Sequence, residues 1–172
     1  MFLRAAGTEV HLMDRTQGSL AFARELGFAH VWTEESVPDL PFDAVVDASN
    51  ATHLPDLALD LVEPAGRVVY VGLAGEPSSI DTRTLALKDV TAVCILSASP
   101  GFDDIIRAYA GGSVDPGPLV AATAGLEQAG PVLAGERPAD AGPGPRSMST
   151  RGWAEEARTG PSGAGTPSPH PG

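Results

Sequence analysis

Short apolar segments alternate with segments of helical periodicity along most of this chain. The apolar segments predict strands at residues 9–13, 29–33, 42–49, 66–73, 91–96 and 120–123. Between them, apolar side chains recur at helical spacing and predict helices at residues 19–26, 52–62, 84–89, 102–112 and 125–134. Strands that alternate with helices form βαβ units, so the pattern predicts an α/β fold with a doubly wound, mostly parallel sheet.

Two of these segments carry further structural signals, one for burial of a strand and one for the end of a helix. Ala44, Val45 and Val46 are continuous rather than alternating with polar residues, which is typical of a strand covered on both faces. Gly27 directly follows the first predicted helix, at the position where a glycine in the left-handed conformation commonly ends a helix.

The composition changes at Pro138. From there on, 14 of the 35 residues are glycine or proline, and no apolar periodicity remains. Such a segment buries too little apolar surface to offset the entropy lost on ordering. We therefore predict a folded, partial domain at residues 1–137 and a disordered tail at residues 138–172.

Charge and hydropathy exclude two classes of partner. The net charge of −11 argues against nucleic acid, because affinity for nucleic acid depends on lysine and arginine at the phosphates. No segment approaches the run of about 20 apolar residues that crosses a membrane. We predict neither partner for this chain.

The potential metal ligands are few and scattered. The one cysteine, Cys94, excludes an internal disulfide and a cysteine-built zinc site, and it favours a reducing cytoplasm. We expect Cys94 to be a small buried residue. The four histidines lack the spacing of metal ligands, so they are expected to be structural or exposed.

Several motifs, taken together, carry a family resemblance over residues 5–137. Their order is V-x-x-x-D ending at Asp14, E-L-G ending at Gly27, F-D-A-V-V-D-A, A-G-R-V-V-Y-V-G-L and L-K-D-V-T. This order resembles the cofactor domain of the medium-chain, zinc-type alcohol dehydrogenases. The resemblance implies a Rossmann-like sheet and an oxidoreductase that transfers a hydride between an alcohol or polyol and a nicotinamide cofactor.

The resemblance also implies roles for residues at the ends of strands. Asp14 occupies the place of the acid that hydrogen-bonds the adenosine ribose hydroxyls, which favours NAD because a carboxylate repels a 2′-phosphate. Arg15 leaves NADP possible, since an arginine there accommodates that phosphate. Further cofactor contacts are implied for Ala48, Ser49, Val71, Gly72, Leu73, Ile95 and Ser97.

Part of the family pattern is absent from this sequence. The phosphate-binding G-x-G-x-x-G loop lies roughly 20 residues before the acid, whereas only 13 residues precede Asp14. The chain therefore resembles a cofactor domain truncated at its N-terminus, without its first strand, and divergent at its C-terminus. Because the first strand is central in the order 3-2-1-4-5-6, we expect a sheet split into a pair and a trio.

The residues that would hold catalytic zinc in this family have no counterpart here. We assign no catalytic and no metal-ligating residue, and we expect the chain alone to be inactive. Two alternatives remain open. One is an S-adenosylmethionine-dependent methyltransferase, whose fold also places an acid after its second strand. The other is a non-catalytic fragment that binds a nucleotide or forms a homo-oligomer through the last sheet strand.

Overall fold

The structure is a computed structural model that describes residues 1–96, 100–142 and 146–149. Helices and strands alternate along the chain, as the apolar pattern predicts. The strands are β1 (His11–Met13), β2 (His30–Trp32), β3 (Phe42–Asp47), β4 (Val62–Tyr70), β5 (Thr91–Cys94), β6 (Val120–Ala124) and β7 (Arg146–Ser149). The α-helices are α1 (Phe2–Ala5), α2 (Gln17–Glu25), α3 (Leu54–Leu61), α4 (Thr82–Leu87), α5 (Phe102–Ala110) and α6 (Ala129–Leu133).

The strands of the described residues form three separate sheets. β1 pairs with β2, β3–β4–β5 form a three-stranded sheet in that order, and β6 pairs with β7. The pairs β3–β4 and β4–β5 are parallel. The first two sheets are the pair and the trio predicted for a doubly wound sheet without its first strand.

The chain divides into two compact units. One comprises Met1–Leu12, Thr16–Val31 and the described residues from Gly112 onward, and the other comprises Met13–Arg15 and the described residues from Trp32 to Gly111. The division runs through β1 and β2. The boundary at residue 137 stays a prediction.

The core of the second unit lies between the three-stranded sheet and α3. It is formed by five buried residues, namely Ala58, Leu59, Val62, Val68 and Tyr70. Val45, Ile80, Leu85 and Val90 pack against them from β3 and from the segment around α4. Full burial of a valine or leucine side chain, as at Leu59, Val62 and Val68, stabilises the fold by about 1.5–3 kcal/mol.

The face of β3 that points away from the core is exposed, although the sequence predicts a strand covered on both faces. Ala44 is exposed, and Val46 retains 48% of its accessible surface. Val45 packs on the core and its two neighbours alternate away from it, because successive side chains of a strand point to opposite faces. The expectation of a strand covered on both faces is therefore wrong for the described residues.

Gly27 ends α2 in the manner the sequence predicts. Its φ of 81° lies in the left-handed region. The amide of Gly27 donates to the carbonyl of Arg24, and the amide of Phe28 donates to the carbonyl of Ala23. This pair of bonds is the Schellman motif. It turns the chain so that Phe28 enters the core of the first unit, where it joins Leu20 and Val31.

A single ammonium group closes the C-terminal end of α3. Nζ of Lys88 donates to three backbone carbonyls, those of Leu59 at 2.6 Å, Asp60 at 3.0 Å and Val62 at 3.1 Å. The last carbonyls of a helix have no partner within the helix and carry partial negative charge, so a cation is favourable there. Lys88 thereby ties α3 to the loop before β5.

Part of the segment predicted to be a disordered tail has regular structure. Arg146–Ser149 forms β7, which pairs in parallel with β6. Residues 143–145 and 150–172 lie outside the described residues, so for them the predicted tail stays a prediction. Among the described helices, none is long and apolar enough to cross a membrane.

We predict that Lys88→Met lowers the free energy of unfolding by about 1–3 kcal/mol, because three carbonyls lose a charged donor while the aliphatic stem is retained. Urea denaturation followed by circular dichroism measures the change. Arg83→Met removes an exposed cation from α4 and is the matched control. Equal effects of the two substitutions would contradict the capping role.

Candidate functional site

The carboxyl ends of β3, β4 and β5 lie side by side. Asp47 pairs in register with Tyr70, and Tyr70 pairs in register with Cys94. Because the strands are parallel, the chain leaves all three at the same edge of the sheet, and ligands of doubly wound sheets bind beyond this edge. We call it the carboxyl edge; it consists of Ala48, Ser49, Val71, Gly72, Leu73 and Ile95.

Asp47 holds the carboxyl edge together through its backbone and its side chain. Its carbonyl accepts hydrogen bonds from the amides of Val71 at 2.8 Å and Gly72 at 2.9 Å. Its carboxylate Oδ1 accepts the amide of Ser49 at 2.9 Å. Asp47 is 9% exposed, and these bonds compensate for burying its polar groups. One residue thus ties the segment after β3 to the segment after β4.

Gly72 allows these two segments to touch. A Cβ at this position would lie 1.8 Å from the carbonyl oxygen of Ser49 and 2.6 Å from its amide nitrogen. Both are backbone atoms that cannot rotate away. Glycine is therefore required here by close approach of backbone to backbone.

Apolar side chains border the carboxyl edge. Leu73 is 75% exposed, and Val71 and Ile95 are also exposed. The amide of Ile95 donates to the carbonyl of Tyr70 at 2.9 Å, which continues the alignment of β5 with β4 by one residue. The edge thus combines internally hydrogen-bonded backbone with an exposed apolar border.

Tyr70, at the end of β4, links this edge to α3. Its hydroxyl donates to the carbonyl of Pro55 at 2.9 Å. Burial raises the pKa of Tyr70, and the nearby Asp47 raises it further. The phenol therefore stays neutral in the physiological range and acts as a hydrogen-bond donor to α3.

Cys94, next to this edge, is exposed rather than buried. The sequence-based expectation of a buried cysteine is wrong, because no described residue covers the outer side of β5, all four residues of which are exposed.

Asp14 and Arg15 follow β1, at the end of the two-stranded sheet. The amide of Asp14 donates to the carbonyl of Trp32 at 3.1 Å, so the ends of β1 and β2 are aligned. Both side chains are exposed. Both residues belong to the same compact unit as the carboxyl edge.

The structure therefore brings six of the nine candidate residues together at the carboxyl edge and places two, Asp14 and Arg15, after β1. Ser97 lies outside the described residues. The motifs in the sequence do not single out Asp47 as an organising residue, although it carries the same signal as Asp14, an acid at the end of an apolar strand.

The described residues of the carboxyl edge include no cysteine and no histidine that could hold zinc. Among the described residues, one group of three potential metal ligands lies close together, and it consists of Glu9, His11 and His30. None of the three belongs to the edge. The residues at the edge thus do not fit a catalytic zinc ion.

A model of the zinc-binding dehydrogenase family matches residues 1–110, which is more than half of the 172 residues. The chain belongs to this family. Membership of the zinc-binding dehydrogenases favours the cofactor domain of a dehydrogenase over the methyltransferase alternative. No curated protein sequence matches the chain significantly.

Solved structures of dehydrogenases share the fold of this family member. A short chain alcohol dehydrogenase from E. coli CFT073, complexed with NADH, is 20% identical with a TM-score of 0.69, covering 77% of this chain and 42% of that one. A zinc-binding dehydrogenase from Sinorhizobium meliloti 1021, bound to NADP, is 16% identical with a TM-score of 0.72, covering 86% and 46%. These similarities confirm the Rossmann-like α/β fold.

A third structure is more similar in sequence. Alcohol dehydrogenase TADH from Thermus sp. ATN1 is 26% identical with a TM-score of 0.64, covering 73% of this chain and 40% of that one. This zinc-binding dehydrogenase chain thus spans less than half the length of the three solved relatives.

We predict that Gly72→Ala lowers the free energy of unfolding by about 1–3 kcal/mol, because the new methyl group overlaps the Ser49 backbone. Urea denaturation measures the change. Gly75→Ala is the matched control, since a Cβ there meets nothing within 4 Å, and it should change stability by less than about 0.5 kcal/mol. If both variants match the wild type, Gly72 does not pack as described.

Proposed function

We propose that the carboxyl edge, together with Asp14 and Arg15, forms part of the nicotinamide-dinucleotide site of a zinc-type alcohol or polyol dehydrogenase. The observation that carries the proposal is the junction of Asp47, Gly72 and Ser49, which aligns the ends of neighbouring strands where Rossmann-like sheets bind ligands. Family membership and the cofactors in the names of two solved relatives support it.

Different residues would bind different parts of the cofactor. Asp14 would accept hydrogen bonds from the adenosine ribose, because a carboxylate has acceptors only and the ribose presents two hydroxyl donors. Ser49, Gly72 and Ile95 would lie against the nicotinamide side, where Gly72 lets the segments after β3 and β4 come together. Ser97, for which no structural contact is described, is proposed for the same side.

NAD is the proposed cofactor, with NADP second. The exposed carboxylate of Asp14 would repel a 2′-phosphate, whereas the guanidinium of the neighbouring Arg15 would attract it. The cofactor would supply hydride transfer. The residues at the carboxyl edge would bind and orient it.

No residue of this chain is assigned a catalytic role. Zinc polarises the substrate oxygen in the parent reaction, but the carboxyl edge offers no zinc ligands, and we derive no step through a metal ion. The solved relatives contain further regions that this chain does not cover, and catalysis would depend on residues of the kind found there. We expect the purified chain to show no NAD-dependent alcohol oxidation.

We also propose that two copies of the chain associate through β5. Among the described strands, β5 lies at the edge of its sheet, and all four of its residues are exposed. An unpaired edge offers backbone donors and acceptors to a further strand, so a second copy would pair there.

A reducing cytoplasm is the proposed compartment, since it suits an exposed free thiol at Cys94.

We predict that Asp14→Ala weakens NADH binding by roughly 10-fold to 100-fold, because charge-assisted hydrogen bonds to the ribose are lost. The same substitution should leave NADPH binding unchanged or stronger, because a repulsive charge is removed. Titration of NADH and NADPH, followed by cofactor fluorescence, measures both affinities.

Asp60→Ala is the matched control, since it removes an exposed carboxylate from α3 without touching a candidate residue. It should leave both affinities unchanged. Equal loss of NADH binding in the two variants, or heat from S-adenosylmethionine but not from NADH in calorimetry, would overturn the proposal.

A further inference from the structure

Two histidines that are far apart in sequence meet on the β1–β2 pair. His11 is the first residue of β1, and His30 is the first residue of β2. Their imidazole rings stack with centroids 4.3 Å apart and planes 6° from parallel. Strand pairing, which the spacing along the chain does not show, therefore places two imidazoles side by side.

A carboxylate completes this group. Oε1 of Glu9 lies 3.0 Å from Nε2 of His11. Glu9, His11 and His30 each offer one ligand atom, and these atoms all lie within 4.8 Å of one another. All three residues belong to the same compact unit. We call this group the Glu9–His11–His30 triad.

We propose that the Glu9–His11–His30 triad binds one divalent transition-metal ion of the Zn²⁺ class, with two imidazole nitrogens and one carboxylate oxygen as ligands. Zinc takes imidazole nitrogen at about 2.0–2.1 Å and carboxylate oxygen at about 2.0–2.2 Å. Two imidazoles and one carboxylate suit zinc, cobalt, nickel and copper better than magnesium or calcium, which prefer oxygen ligands.

The ion would replace the proton in the hydrogen bond between Glu9 and His11, and that proton would be released to solvent. Glu9 and His11 now share a hydrogen bond along the line between Oε1 and Nε2, and a metal ion would lie near that line. The hydrogen bond to His11 holds the pKa of Glu9 below its usual value, and the charge of His30 adds to the effect. A glutamate carboxylate is ionised at neutral pH in any case, so Glu9 offers the charged oxygen that metal binding requires.

One histidine side chain must rotate before the triad can hold an ion. The two rings lie in nearly parallel planes, so one imidazole must turn about its χ2 bond before both nitrogens face one ion. Rotation about this bond has a broad energy profile. The His11 side chain is 11% exposed and Glu9 is 75% exposed, so the ion would enter from the side of Glu9.

A bound ion would link β1 to β2. A two-stranded sheet is marginally stable by itself, and a ligand that binds only the folded state stabilises that state. The triad would thus act as a structural metal site, independent of the proposed cofactor site. The inference does not rest on the proposed function.

The chain contains a matched control for this site. His53 and Glu34 also form a histidine–carboxylate pair, with Nε2 3.0 Å from Oε2. No third potential ligand accompanies this pair among the described residues. A histidine–carboxylate pair without a second imidazole should bind zinc much more weakly.

The test uses the full chain without an affinity tag, titrated with Zn²⁺, Co²⁺ or Mg²⁺. We expect one Zn²⁺ per chain by calorimetry, visible ligand-field bands with Co²⁺, and no response to Mg²⁺. At Zn²⁺ concentrations roughly 100-fold above Kd, we expect Tm to rise by about 5 °C or more.

Variants assign the ligands. His11→Gln and His30→Gln should each weaken Zn²⁺ binding by at least about 100-fold, and Glu9→Gln by at least about 10-fold. His53→Gln should leave it within about two-fold of the wild type. Circular dichroism without metal shows whether each variant is folded, and in folded variants the Co²⁺ bands report the ligands directly. Absence of Zn²⁺ uptake by the wild type, or equal loss in His53→Gln, would overturn the inference.

Discussion

The parallel alignment of β3, β4 and β5 is the constraint on which the candidate site depends. Asp47, Tyr70 and Cys94 share one row of this sheet, so the chain leaves three strands at one level. Asp47 then fixes the next two segments through three hydrogen bonds, and Gly72 lets them touch. A shift of register by one residue would turn the strand-end side chains to the opposite face and separate these groups.

Much of this architecture follows from apolar patterning. The six predicted strands all form, with ends displaced by a few residues. β4, for example, begins at Val62 rather than at Gly66. The pair and the trio also follow from strand order, because removing a central strand separates its two neighbours. Local periodicity is sufficient for these features, since strands and helices form where apolar residues recur at the spacing of each.

The remaining features depend on pairing between distant segments. The meeting of His11 with His30 requires the register of β1 against β2, which no motif spacing encodes. Lys88 closes a helix that ends 27 positions earlier, and Asp47 binds amides beyond the following strand. Val46 and Cys94 are exposed because no described element covers them. The composition of β3 and β5 does not show which elements will pack on the three-stranded sheet.

The position of Cys94 has a practical consequence. It is the chain's one cysteine, it is exposed, and it directly precedes Ile95 at the border of the carboxyl edge. A thiol-reactive fluorophore would therefore attach at a single, known point beside the strand ends. Its emission would report events at this edge while the polypeptide elsewhere stays unlabelled.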